Sequence, residues 1–144
     1  MTTDDRTALL HRGDELWELL RTALDASIDA PLGPSSNWTG RDVYAHLARW
    51  QQNTIDVVRG VLAGTAPPDP TEDEDTINNR WHEEDRTTPS DVARRRCTVT
   101  RRELRALLES LTDGQWRAFG EAASADINGE HYEHHLAVIA KAAR

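Results

Sequence analysis

Apolar residues recur along this chain at intervals of three, four and seven, the spacing of helices that bury one face and leave the other to solvent. The first stripe is Leu9, Leu16, Trp17, Leu20, Leu24 and Ile28, and it predicts a helix from Thr7 to about Ile28. Pro31, Gly33, Pro34, Ser35, Ser36 and Asn37 follow, a turn too rich in breakers to prolong it. A second stripe, Val43, Leu47, Trp50, Thr54, Val57, Val58 and Val61, predicts a helix from a cap at Thr39 to about Ala63. Thr39 is the N-cap, Asp42 is placed to reach back to its amide, and Gly64 is the stop.

Between Gly64 and Thr88 the pattern lapses. Pro67, Pro68 and Pro70 precede the acidic run Glu72-Asp73-Glu74-Asp75, which reads as solvated, and Ile77 to His82 has enough apolar and amide character for a short helix folded back over the rest. Thr88-Pro89-Ser90-Asp91 signals a new start, with Pro89 at the first helical position and Asp91 able to close a capping box. Ala93, Cys97, Thr100, Leu104, Leu107, Leu108 and Leu111 carry that third helix to about Leu111. Thr112 to Trp116 reads as a turn, and the stretch to Ala125 is poorly periodic. Asn128 then caps a last helix running to about Arg144, with Ile127, His131, His135, Val138 and Ala142 as its stripe. Four amphipathic helices with one long connection at about 64–88, and no alternating strand pattern, predict an all-α four-helix bundle.

Length and charge narrow the function. The 144 residues suit one domain, 1–144, with a core of ordinary size. The single cysteine excludes an internal disulfide. No apolar run approaches the roughly 20 residues that span a bilayer, and the polar, acidic start Met1-Thr2-Thr3-Asp4-Asp5 lacks the order of a secretory signal, so no membrane and a cytoplasmic location are expected. With a net charge of -8, broad affinity for nucleic acid is not expected. The basic run Arg94-Arg95-Arg96, followed by Arg101-Arg102, reads as a solvated helix face, and Cys97 as a small buried hydrophobe.

The chemistry lies in the histidines. His131 and His135 stand four residues apart, which stacks two imidazoles on one face of a helix. That face is otherwise apolar, and an unsatisfied polar group buried there costs about 1–3 kcal/mol, a cost that a bound metal removes. His46 falls between Val43 and Trp50 on the wheel of the second helix and also points inward. If the second and last helices run parallel, the three rings come to one height; an antiparallel pair needs a longitudinal offset. Three neutral imidazoles leave coordination positions open, as a catalytic site requires. Zn²⁺ suits them best, with Ni²⁺, Fe²⁺ and Mn²⁺ as alternatives, and His134 is an alternative to His135. Asp42 is the best candidate to hold an imidazole from behind, while Tyr44, Trp50, Trp81 and Tyr132 are candidate pocket walls, Asn78 and His134 further candidates for the pocket, and His82 a candidate ligand-contacting residue.

The segment Trp38 to Trp50, the Asn78 to Trp81 segment and His131-Tyr132-Glu133-His134-His135-Leu136 together resemble the DinB-like superfamily. The nearest groups are those similar to the ClbS/DfsB proteins and to the metal-binding domain of mycothiol-dependent maleylpyruvate isomerase. The resemblance implies a four-helix bundle, often dimeric, holding a divalent metal on residues matching His46, His131 and His135. It further implies a small-molecule substrate and, in some members, a low-molecular-weight thiol such as mycothiol. No second domain such as those isomerases carry is expected within these 144 residues, so the scaffold rather than one reaction is carried over. The function expected is hydrolysis or thiol transfer to a small electrophile by a metal-activated nucleophile. The alternative is a binding protein that sequesters a reactive molecule in the same cavity for self-protection.

Overall fold

A computed structural model describes residues 3–66 and 71–143. Met1 and Thr2 of the leader reading, the prolines at 67–70 and the expected helix end at Arg144 lie outside the described residues. The elements are α1 (Thr3–Ala26), β1 (Pro31–Gly33), β2 (Ser36–Thr39), α2 (Gly40–Leu62), α3 (Glu74–Glu84), α4 (Ser90–Ser110), α5 (Asp113–Gln115), α6 (Glu121–Ala123) and α7 (Gly129–Ala142). The fold is all-α, as expected, with the four long helices around one core.

Local chemistry explains most boundaries. The Thr39 hydroxyl accepts from the Asp42 amide at 3.2 Å while Asp42 Oδ2 accepts from the Thr39 amide at 2.9 Å, the reciprocal box expected from the sequence. Gly64 adopts φ 89°, a left-handed conformation that ends α2 at little cost only for glycine. The Asn128 side chain accepts from the Glu130 amide and starts α7. The second box does not form: Pro89 is the N-cap of α4 and makes no side-chain cap bond, while the Thr88 amide is engaged by the Asp85 carbonyl.

Four further expectations are corrected. The turn at 31–37 contains a small antiparallel hairpin, β1 with β2, in which Pro31 pairs with Thr39 and Gly33 with Ser36. The aperiodic stretch after Leu111 is helical almost throughout: a π turn at Trp116–Gly120 and a 3₁₀ turn at Ser124–Ile127 alternate with α5 and α6. Such changes of hydrogen-bond span shift the buried face from turn to turn, so no single period survives in the sequence. On α7, Val138 is 46 % exposed and the core face is Tyr132, Leu136 and Ile139, one step round from the predicted stripe. On α1, Leu10 rather than Leu9 is fully buried.

Cross-links give the helix directions. Asp14 of α1 meets Arg101 and Arg105 of α4, and Arg6 meets the Leu108 and Leu111 carbonyls, so these helices run antiparallel. Gln51 and Arg59 of α2 face Thr100 and Glu103 of α4, so those run parallel. Thr54 of α2 meets Asp126 while the hairpin before α2 meets Ala142 at the end of α7, so α2 and α7 are antiparallel. Parallel α2 and α4 require the chain to travel back the length of a 23-residue helix, about 35 Å, and the 63–89 connection does this. Its middle is α3, lying across the amino-terminal half of α2. The acidic run has a local role: Asp73 caps α3 by accepting from the Thr76 amide, and Glu74 and Asp75 fill a first turn that favours negative charge.

Candidate metal centre

His46 projects from the second turn of α2, and His131 and His135 from consecutive turns of α7. Their rings converge although the helices oppose each other: ring centres are 5.8 Å apart for His46 and His131, 5.1 Å for His46 and His135, and 4.7 Å for His131 and His135. One ring nitrogen from each lies within 4.8 Å of the other two, an arrangement able to hold a metal ion. Nε2 of His131 and Nε2 of His135 are 2.9 Å apart. At that separation two lone pairs repel, unless one nitrogen carries a proton for the other or both address a shared cation. Nitrogens on one tetrahedral zinc stand about 3.3 Å apart, close to what is present.

The electrostatics favour neutral ligands. Burial, reinforced by the neighbouring His131, lowers the pKa of His46 to about 4. Burial, with His131 and His46 adding to it, lowers that of His135 to about 2. Both rings are therefore neutral at neutral pH, each with one nitrogen able to ligate a metal. His131 Nδ1 is buried with no hydrogen-bond partner, and the nearest carboxylate oxygen, Asp126 Oδ1, is 3.6 Å away. Asp126 Oδ2 accepts from the Thr54 hydroxyl, which fixes the carboxylate behind that ring. A carboxylate facing the outer nitrogen of a ligating histidine orients the ring and raises its basicity. Asp126 was missed by sequence reasoning because it lies in the 3₁₀ turn, off any helical stripe.

The rings open onto a pocket of about 720 Å³, walled by Trp38 and Trp50 and rimmed by Asn53, Thr54, Glu74, Asn78, Glu130 and His134. Trp50 Nε1 donates to Asn78 Oδ1 at 2.7 Å, tying α3 to α2 at the pocket wall. Of the expected pocket residues, Trp50, Asn78 and His134 are therefore present. Trp81 and His82 are not part of this pocket; they border a smaller crevice between α2 and α3. There Trp81 packs edge-on to Trp50, and His82 stacks on Trp38 with ring centres 4.3 Å apart. Asp42 does not support the histidine cluster: its oxygens serve the Thr39 amide and Arg41, and its nearest imidazole is His82 at 3.6 Å.

Tyr132 and Tyr44 are core residues rather than pocket walls. Tyr132 is fully buried and donates to Gln51 Oε1 at 3.0 Å, while Gln51 Nε2 donates to the Cys97 carbonyl and to Thr100 Oγ1. Tyr44 donates to Asp25 Oδ1 at 2.7 Å, on the α1 side. The Cys97 thiol is buried and its pKa is pushed up to about 12, as fits a small core hydrophobe.

A family model, the mycothiol maleylpyruvate isomerase N-terminal domain, matches residues 9–128. The chain belongs to that family, within the DinB-like superfamily. Neither curated proteins nor solved structures give a match. The match to this isomerase N-terminal domain includes His46, Thr54 and Asp126 and stops before His131. The pair on α7 thus enters the site on its spacing in the sequence and its geometry rather than on the family match. In keeping with the family's helical scaffold, no helix among the described residues is long and apolar enough to cross a membrane.

Proposed function

We propose that the chain is a divalent-metal-dependent enzyme acting on a small electrophile, with His46, His131 and His135 as the metal ligands. The observation that carries this reading is the convergence of three imidazoles, two of them held neutral by burial, at the inner end of a solvent-accessible pocket. A divalent ion there supplies a Lewis acid that makes water or a low-molecular-weight thiol a nucleophile near pH 7. The donor set fits that group: three nitrogens suit zinc and leave room for a reactant. The family's association with mycothiol supports a thiol as the activated partner.

The chain's own side chains do the rest. Asp126, braced by Thr54, stands 3.6 Å behind His131 Nδ1, where on metal binding it would accept that nitrogen's proton and leave the Nε2 lone pair to the metal. Trp38 and Trp50 offer apolar walls that exclude water from one side of a bound molecule. Asn78, held by Trp50, keeps α3 over the opening.

Titration of metal-free chain with zinc tests the reading directly. One zinc per chain, lost in H131A and H46A, is expected. Zinc-dependent consumption of mycothiol in the presence of a small uncharged electrophile such as a maleate diester then tests the chemistry. Stoichiometric capture of the electrophile by metal-free protein, without turnover on adding zinc, would favour sequestration instead.

A further inference from the structure

The pocket has a marked charge bias. Among the described residues that line it there is no arginine and no lysine, whereas three carboxylates do so: Glu74, Asp126 and Glu130. Asp126 is engaged by Thr54 and faces His131. Glu74 and Glu130 are exposed and take part in none of the ion pairs among the described residues, although arginines nearby are paired elsewhere, Arg80 with Glu72 and Arg49 with Asp85. Each lies in the first turn of its helix, Glu74 on α3 and Glu130 on α7, and both line the pocket. Even with a divalent ion on the histidines, three negative charges face two positive ones. A substrate anion would have to enter past Glu74 and Glu130 with no side-chain cation to offset them. The indole walls favour the opposite sign, because aromatic faces attract cations.

We propose that this pocket selects a cationic substrate with a flat or apolar body, and that Glu74 and Glu130 determine that preference. The proposal rests on the pocket being the substrate site, as the preceding reading has it. It extends that reading by naming the charge class of the substrate. Each carboxylate acts through partly solvated space, where an opposite charge several ångströms away changes affinity by about threefold to tenfold.

Calorimetric titration of the full chain, metal-free and zinc-loaded, with three probes of similar size tests it: benzyltrimethylammonium, benzyl alcohol and benzenesulfonate. Quaternary ammonium cannot ligate zinc, so its binding reports the walls and carboxylates alone. Benzyltrimethylammonium is expected to bind at least about tenfold more tightly than benzenesulfonate in both forms. The E74Q/E130Q variant should lose about tenfold or more for the cation, little for the alcohol, and none of its zinc stoichiometry. Equal or tighter binding of the sulfonate, no binding of the cation, or an unchanged preference in E74Q/E130Q would overturn the proposal. Failure of zinc to bind wild-type protein would instead count against the metal reading, because the charge preference is measured separately in the metal-free form.

Discussion

Replacing His46 by glutamine should make the metal-free protein less sensitive to acid, and the structure sets the size of the effect. The ring titrates near 6.5 when unfolded and near 4 when folded, because burial and the adjacent His131 disfavour its charged form. The unfolded chain therefore takes up a proton at this position below pH 6.5 while the folded chain resists it. Stability from the neutral ring is complete above pH 6.5 and declines as the pH falls toward 4. Between pH 7.5 and 4.5 the loss from this residue is about 2–3 kcal/mol. His135, lowered further to about 2, acts in the same direction, so wild-type protein should lose more than this in total.

Urea unfolding with a chelator present, at both pH values, measures the change for wild type and for H46Q. The difference between the two changes reports His46 together with its coupling to His131 and His135, because Asp14 and the other titrating groups away from the cluster are common to both. H46Q should lose about 2–3 kcal/mol less than wild type over this range. Equal losses would show that the folded protein protonates His46 as readily as the unfolded chain does. The argument for neutral, buried ligands would then fail. Saturating zinc should stabilise wild type at pH 7.5 and lose that effect toward pH 4.5, since protons and metal compete for the same lone pairs.

Other substitutions separate the roles assigned above. D126N should lower zinc affinity by roughly 10–100-fold with little change in unfolding free energy, as judged by competition with a chromophoric chelator. Y132F leaves Gln51 Oε1 without its donor and should cost about 1–3 kcal/mol in chemical denaturation while leaving zinc affinity intact, the reverse of what a pocket wall would do. In G33A the added methyl carbon would stand 2.2 Å from the Ala142 carbonyl oxygen, a backbone atom that cannot turn aside. It should cost roughly 1–3 kcal/mol and weaken zinc binding, because the end of α7 is displaced.

The helices and two of their caps were legible because they depend on neighbours in sequence. Thr39 with Asp42 forms a box within four residues, Asn128 caps within two, and the α4 stripe from Ala93 to Leu111 needs only a regular period. What depends on the third dimension was less legible. His131 and His135 share one face under any register, yet which face of α7 meets the core was misjudged by one step, because Tyr132 finds Gln51 and can be buried with its hydroxyl satisfied. Asp126 gave no signal, since its position beside His131 is produced by a 3₁₀ turn. Asp42 was overvalued for a local reason: one of its oxygens is spent on the Thr39 amide it caps and the other on the Arg41 guanidinium.

The opposed directions of α2 and α7 raise the question of how three rings come level, and the hairpin answers it. Ser35 donates from its amide and its hydroxyl to the Ala142 carbonyl, and Gly33 lies against the same carbonyl, so the last turn of α7 is fastened beside the start of α2. From Gly40 to His46 is six residues, about 9 Å of rise; from Ala142 back to His135 is seven, about 10 Å. Counted from one fastened end, His46 and His135 therefore reach nearly the same height, and His131 lies one turn beyond them. The offset that an antiparallel pair needs is thus built into the length of α7 beyond its histidines and into a three-residue strand with no chemistry of its own. The register of the centre, on this argument, is held about 10 Å away from the centre itself.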